Sequence, residues 1–267
     1  MMNGIELLLL VVVLAIGVGW SLSHRRKQRR QALATSEFTE EQRQWVRENW
    51  ELWQQLPEGL RVEIEGLALV FLDEKVFEAC GGLRAITDEM RFLVAAQACL
   101  LWTNQRGRPY PALKAILMYP DAYRAKDELK GDSVRLGESW SRGSVVLAWK
   151  SVKSGGLNDE DGHNLVLHEF AHQLDTVNGA ADGFPELPGN SDFKEWTEVF
   201  QREYERLQAD VAKGRRSVMD SYGATNEAEF FAVATETFFE RASAMREEHP
   251  QLYQLLSDFF GTDPLAW

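Results

Sequence analysis

The pentapeptide His168-Glu-Phe-Ala-His172 constrains this chain more than any other feature. On an α-helix, residues i and i+4 share a face, so two imidazoles can grip one metal ion. Glu169 follows the first histidine, where its carboxylate can accept a proton from a zinc-activated water. Leu165, Val166, Leu167, Phe170, Ala171 and Leu174 supply an apolar stripe. The pattern predicts a helix over Asp159–Asp175 with Asp159 as its N-cap.

A catalytic zinc takes three protein ligands and keeps a fourth position open. The chain has five histidines and only two cysteines, Cys80 and Cys99, which excludes a disulfide scaffold and a cysteine-based cluster. A further histidine six residues beyond His172 is absent, because Asn178 stands there. The expected third ligand is a carboxylate on another helix, and the segment Ser221–Glu240 offers two. Glu229 and Glu236 lie on one face of a predicted helix over Asn226–Arg241. Ala232 and Ala234 are small enough to let that helix approach the first closely. Spacing leaves Glu229 and Glu236 level, with His249 and Asp175 behind them. Asn226 and Glu229 also have capping-box spacing, which would give Glu229 a local structural task. Tyr222 precedes Glu229 by two helical turns.

Ile5–Leu22 is almost wholly apolar and near the ~20 residues that cross a bilayer. No basic residue precedes it, whereas Arg25, Arg26, Lys27, Arg29 and Arg30 follow it. By the positive-inside rule this predicts a single-pass anchor in a bacterial inner membrane, with the remainder cytoplasmic. The expected organisation is an anchor over 1–23, a basic juxtamembrane linker over 24–37 and one catalytic domain over 38–267. The net charge of −12 argues against a nucleic-acid partner.

Thr39 and Gln42 have capping-box spacing at the head of a helix. Further helices are predicted over Leu60–Leu72, Thr87–Asn104, Asp192–Ala212 and Pro250–Phe259. In the second of these Met90, Leu93, Val94, Gln97, Leu100 and Leu101 follow a 3.6-residue period. Lys114–Tyr119, Ser133–Leu136 and Val145–Trp149 read as short strands, and Asn178–Asn190 as an exposed loop. Helices flanking a few strands indicate a mostly helical α+β fold with a small sheet.

The paired segments HEFAHQLD and SYGATNEAEFFAVATETFFE resemble the Mlc titration factor A family of zinc-dependent peptidases. The resemblance covers roughly Phe38 to the C-terminus. It implies a zincin-type metallopeptidase domain, similar in its core to anthrax lethal factor. It implies one Zn2+ held by His168, His172 and Glu229, with Glu169 as general base and Tyr222 as an electrophilic partner. Glu236 and Asp175 would then support the ligands from behind. The implied activity is aminopeptidase-like hydrolysis of short peptides. Members of the family also bind a transcriptional repressor of sugar uptake. A membrane-anchored protein that sequesters a cytoplasmic partner is therefore the alternative expectation.

Overall fold

Side-chain caps at Thr39, Thr87, Asn164 and Asn226 set the start of four helices. The computed structural model describes residues 4–105, 107–121, 123–127, 131–135, 137–140, 143–187 and 193–267. In chain order the first elements are α1 (Gly4–Ala34), α2 (Glu40–Asn49), α3 (Leu52–Gln55), α4 (Glu58–Glu74), β1 (Val76–Ala79) and α5 (Asp88–Leu100). The strands β2 (Ala115–Tyr119), β3 (Tyr123–Asp127), β4 (Gly131–Arg135), β5 (Gly137–Trp140) and β6 (Ser144–Ala148) follow. The chain closes with α6 (Trp149–Gly156), α7 (Leu165–Asp175), α8 (Phe193–Ala212), α9 (Glu227–Glu240), α10 (Ala242–Glu248) and α11 (Pro250–Phe260). The fold is mostly helical α+β with a small sheet. Leu136, Asn190 and Asp192, which end three of the expected segments, lie outside the described residues.

The sheet has the order β1-β2-β6-β5. Three strands are parallel, with Val76 beside Ala115 and Ala115 beside Ser144, and β5 joins β6 antiparallel. β3 and β4 form a separate antiparallel pair. The helices α4, α5, α7 and α9 share one aromatic core. Phe71 of α4 meets Phe170 of α7 at 5.7 Å, and Phe170 meets Tyr110 at 4.9 Å. On the far side Phe200 of α8 stands edge-on to Phe230 of α9 at 4.7 Å. Such pairs contribute ~0.5–1.5 kcal/mol beyond the area they bury.

The membrane span expected over Ile5–Leu22 is corrected. Gly4–Ala34 is one continuous helix, in which the apolar residues run without a break into His24–Arg30. Among the described residues no helix is long and apolar enough to cross a membrane. The basic half also has a different task from the one expected. Arg29 pairs with Asp73, and Arg30 reaches Glu74 at 2.6 Å, both at the acidic end of α4. Opposite charge on a neighbouring helix thus engages Arg29 and Arg30, two of the five basic residues that the sequence alone suggests should face lipid headgroups.

Gly66 permits this docking. A Cβ built there would stand 2.2 Å from the carbonyl oxygen of Ala34. Replacing a helix-interior glycine by alanine would otherwise gain ~1 kcal/mol. Here the obstacle is backbone, which cannot rotate aside. Gly66→Ala is expected to lift the end of α1 off α4, and faster tryptic cleavage at Arg29 and Arg30 would report it. Unchanged cleavage would show that α1 does not depend on this contact.

The structure departs from the sequence reading most at three places. α7 starts at Leu165, because Asn158 and Asp161 side chains capture the backbone N–H groups of Glu160 and His163 and hold 158–163 in turns. Trp149 opens α6 instead of closing a strand. β1, only four residues long, pairs in parallel with a strand far along the chain, which local patterning does not reveal.

Candidate metal centre

Asn164 sets the start of α7. Its side-chain oxygen accepts the N–H groups of Val166 and Leu167, both at 3.1 Å. The apolar residues of α7 are then buried, with Val166, Leu167, Phe170 and Ala171 fully enclosed. His168 and His172 emerge on the remaining face, their ring centroids 4.9 Å apart.

α9 crosses this face. Asn226 caps it by accepting the Glu229 N–H at 2.9 Å. The Glu229 side chain turns to the histidines. Its Oε2 lies 3.1 Å from His168 Nε2 and 3.2 Å from His172 Nε2. The tertiary structure thus brings Glu229, and not Glu236, to the open nitrogens. Glu236 lies behind the ring, its Oε2 2.8 Å from His168 Nδ1. Tyr222 stands at the rim, half exposed, and its hydroxyl donates to Glu229 Oε1 at 3.4 Å.

The other candidates lie elsewhere. His249 is buried against Glu203 of α8, with Nδ1 2.7 Å from Oε2. Asp175 does not reach an imidazole; its Oδ2 accepts the Gly183 N–H at 2.8 Å. Gly183 has φ +78°, and a Cβ there would meet the Glu227 carbonyl at 2.5 Å. The loop after α7 is thereby hydrogen-bonded to the end of α7 and passes close to the start of α9. It borders an open groove of about 400 Å³ lined by Phe184, Leu187, Phe193 and Thr197, which contains none of the three converging residues.

The donor set fits a metal ion. One atom each from His168, His172 and Glu229 lie within 4.8 Å of one another, the one such group among the described residues. Ligands ~2.0–2.1 Å from a tetrahedral zinc are ~3.3 Å from one another. The observed 3.1 and 3.2 Å separations match that edge. Two imidazole nitrogens and one carboxylate oxygen suit zinc, with one position left open.

The charges respond strongly to this crowding. Burial opposes a charged His168 ring, but Glu236, Glu229 and Glu169 outweigh it and hold its pKa well above the ordinary value. Burial would raise Glu229, yet His168 and His172 keep it well below the usual carboxylate range. Glu169 is only 5% exposed, and its Oε2 has no hydrogen-bond partner. Burial pushes it up to about 8 against the pull of His168, and Glu229 and Glu236 add to the rise.

Glu240, one turn beyond Glu236, escaped the sequence reading, because nothing in the local pattern marks it as buried. Burial raises its pKa to about 9, neither of its oxygens has a hydrogen-bond partner, and Glu236 adds to the rise. The unfolded chain releases this proton near 4.5. Between those values the native state holds a proton that the unfolded state does not, so stability falls as pH rises through the window. Glu240→Gln is expected to gain about 1–3 kcal/mol at pH 7.5 and little at pH 4. Urea denaturation at both pH values tests this, and an equal gain at both would contradict it.

The family model for glucose-regulated metallo-peptidase M90 matches residues 23–261. This chain belongs to the M90 metallo-peptidase family. The uncharacterized protein slr2042 of Synechocystis sp. is 41% identical over 79% of this chain and 80% of its own length. Mlc titration factor A of Serratia proteamaculans is 33% identical over 73% of this chain and 77% of its own length. The Klebsiella pneumoniae protein of the same name is 32% identical over 75% and 78%. Membership of the M90 family implies a metal ion, and the His168, His172 and Glu229 cluster offers it a place.

Proposed function

We propose that this M90 family member is a zinc-dependent peptidase that cleaves short peptides in an aminopeptidase-like manner. The observation that carries the reading is the convergence of Glu229 Oε2 on His168 Nε2 and His172 Nε2, at 3.1 and 3.2 Å, beside the buried Glu169. When bound, zinc supplies a Lewis acid that polarises a carbonyl and lowers the pKa of water toward ~7.

The chain's own residues do the rest. Glu169 takes the proton of the attacking water and passes it to the leaving amine. Its buried carboxylate, with Oε2 unpartnered and within electrostatic reach of His168 and Glu229, supports that role. Tyr222 donates its hydroxyl to the oxygen on which negative charge develops. Glu236 holds His168 by Nδ1 and leaves Nε2 free to ligate.

The test is hydrolysis of a panel of aminoacyl and short peptide chromogenic substrates by the full chain. It is run as purified, after chelation, and after zinc is restored. Activity is expected to vanish on chelation and return with zinc. Hydrolysis indifferent to chelation, or none on any substrate, would overturn the reading.

The relatives' name favours a second reading, stoichiometric capture of the regulator Mlc. A complex between this chain and purified Mlc, formed equally well by Glu169→Gln, would support it. No detectable complex would remove it.

A further inference from the structure

Gln97 stands on the apolar stripe of α5, where a polar residue needs a reason. It is fully buried. An amide taken from water without a partner costs about 1–3 kcal/mol, so its bonds matter. Its Nε2 donates to the Leu93 carbonyl at 3.4 Å, and its Oε1 accepts from Asn164 Nδ2 at 2.8 Å. Asn164 is 1% exposed and caps α7 with its other side-chain atom. Its backbone N–H donates to Glu236 Oε1 at 2.8 Å. The second oxygen of Glu236 is the one on His168 Nδ1.

The result is an unbroken hydrogen-bonded chain from α5, through the cap of α7, to a carboxylate of α9 and back to an imidazole of α7. Each link consumes an atom that would otherwise be free to turn. Glu236 has both oxygens committed, so its plane is fixed relative to the ring. Asn164 has its amide oxygen on α7 and its amide nitrogen on Gln97, so its backbone N–H is fixed relative to Glu236. Gln97 is the end of the chain, anchored in the core.

We propose that Gln97 and Asn164 are positioning residues for the metal centre. Acting through Glu236, they hold His168 with Nδ1 as the donor and Nε2 directed at the metal. This inference rests on the reading of His168, His172 and Glu229 as ligands. Partners that orient a ligating histidine typically change metal affinity 10–100-fold when removed. Gln97 and Asn164 act one step further out, and cutting their bond is expected to weaken zinc binding ~10-fold.

The experiment cuts one bond from both sides. Gln97→Met keeps the length of the side chain and removes the acceptor. Asn164→Ser keeps a good helix cap and removes the amide nitrogen that reaches Gln97. Gln97→Glu restores an acceptor. Zinc affinity is measured by competition with a chromophoric chelator. The visible bands of the cobalt-substituted protein report the geometry of the ligands. Both cutting variants are expected to bind zinc ~10-fold more weakly and to shift the cobalt bands, with Gln97→Glu recovering both. Folded variants with unchanged affinity and bands would overturn the proposal. So would failure of both cutting variants to fold, since the pair would then serve the core and not the metal. An unaltered chain that takes up no zinc would instead remove the metal-centre reading itself, and the proposal with it.

Discussion

Glu169→Gln is expected to lower turnover ~10²–10⁴-fold while zinc content stays at one per chain. The amide has the shape of the carboxylate, so the buried site keeps its packing. It cannot take a proton, and the attacking water loses its base. None of the proposed ligands is altered, because the converging atoms belong to His168, His172 and Glu229. Steady-state kinetics beside metal analysis of the same samples separates the two effects. A variant with full zinc and activity within tenfold of the unaltered chain would place the base elsewhere. The comparison also bears on the regulator-binding reading, which does not need Glu169 to accept a proton.

Glu229→Ala is expected to cost more than ~10²-fold in zinc affinity, beyond what loss of a supporting residue such as Glu236 costs. The substitution removes the atom that lies within 3.2 Å of both imidazoles. Two histidines on one helix remain, and they do not complete a three-ligand set. The Asn226 cap is unaffected, because it uses the Glu229 backbone N–H. Helix α9 should therefore persist, and the loss should be confined to the metal. Dialysis against a weak chelator followed by zinc analysis reads the result. Stoichiometric zinc retained by Glu229→Ala would sink the ligand assignment.

Much of the candidate site's arrangement was legible in the sequence. The i, i+4 pair at 168 and 172 needs only a helix, and the apolar stripe around it guarantees one. Thr39 and Gln42 form the expected reciprocal cap, at 3.3 and 2.8 Å. The choice between Glu229 and Glu236 was not legible from spacing. Both lie on the same face of α9, seven residues apart. What separates them is the crossing of α7 and α9, which sets Glu229 against Nε2 and Glu236 against Nδ1 of the same ring.

The N-terminal run shows the opposite failure. Its apolar composition predicts a span, but composition does not say what the following charges meet. Asp73 and Glu74 lie far along the chain, at the end of α4, and only folding brings them to Arg29 and Arg30. Gln97 is the intermediate case. Its place on an apolar stripe was visible in the sequence, but its partner Asn164 was not.

The sequence by itself determined the longer core helices, the caps at Thr39 and Asn226 and the residue types able to bind a metal, but not where α7 starts. These follow from local periodicity and local hydrogen bonding, which act over a few residues. The tertiary structure alone decided which carboxylate meets both histidines, which one meets His168 from behind, and where the basic helix docks. Those outcomes depend on distances between helices remote in the chain. Such distances are set by the packing of Phe71, Phe170, Phe200 and Phe230 in one core, and no local pattern encodes them.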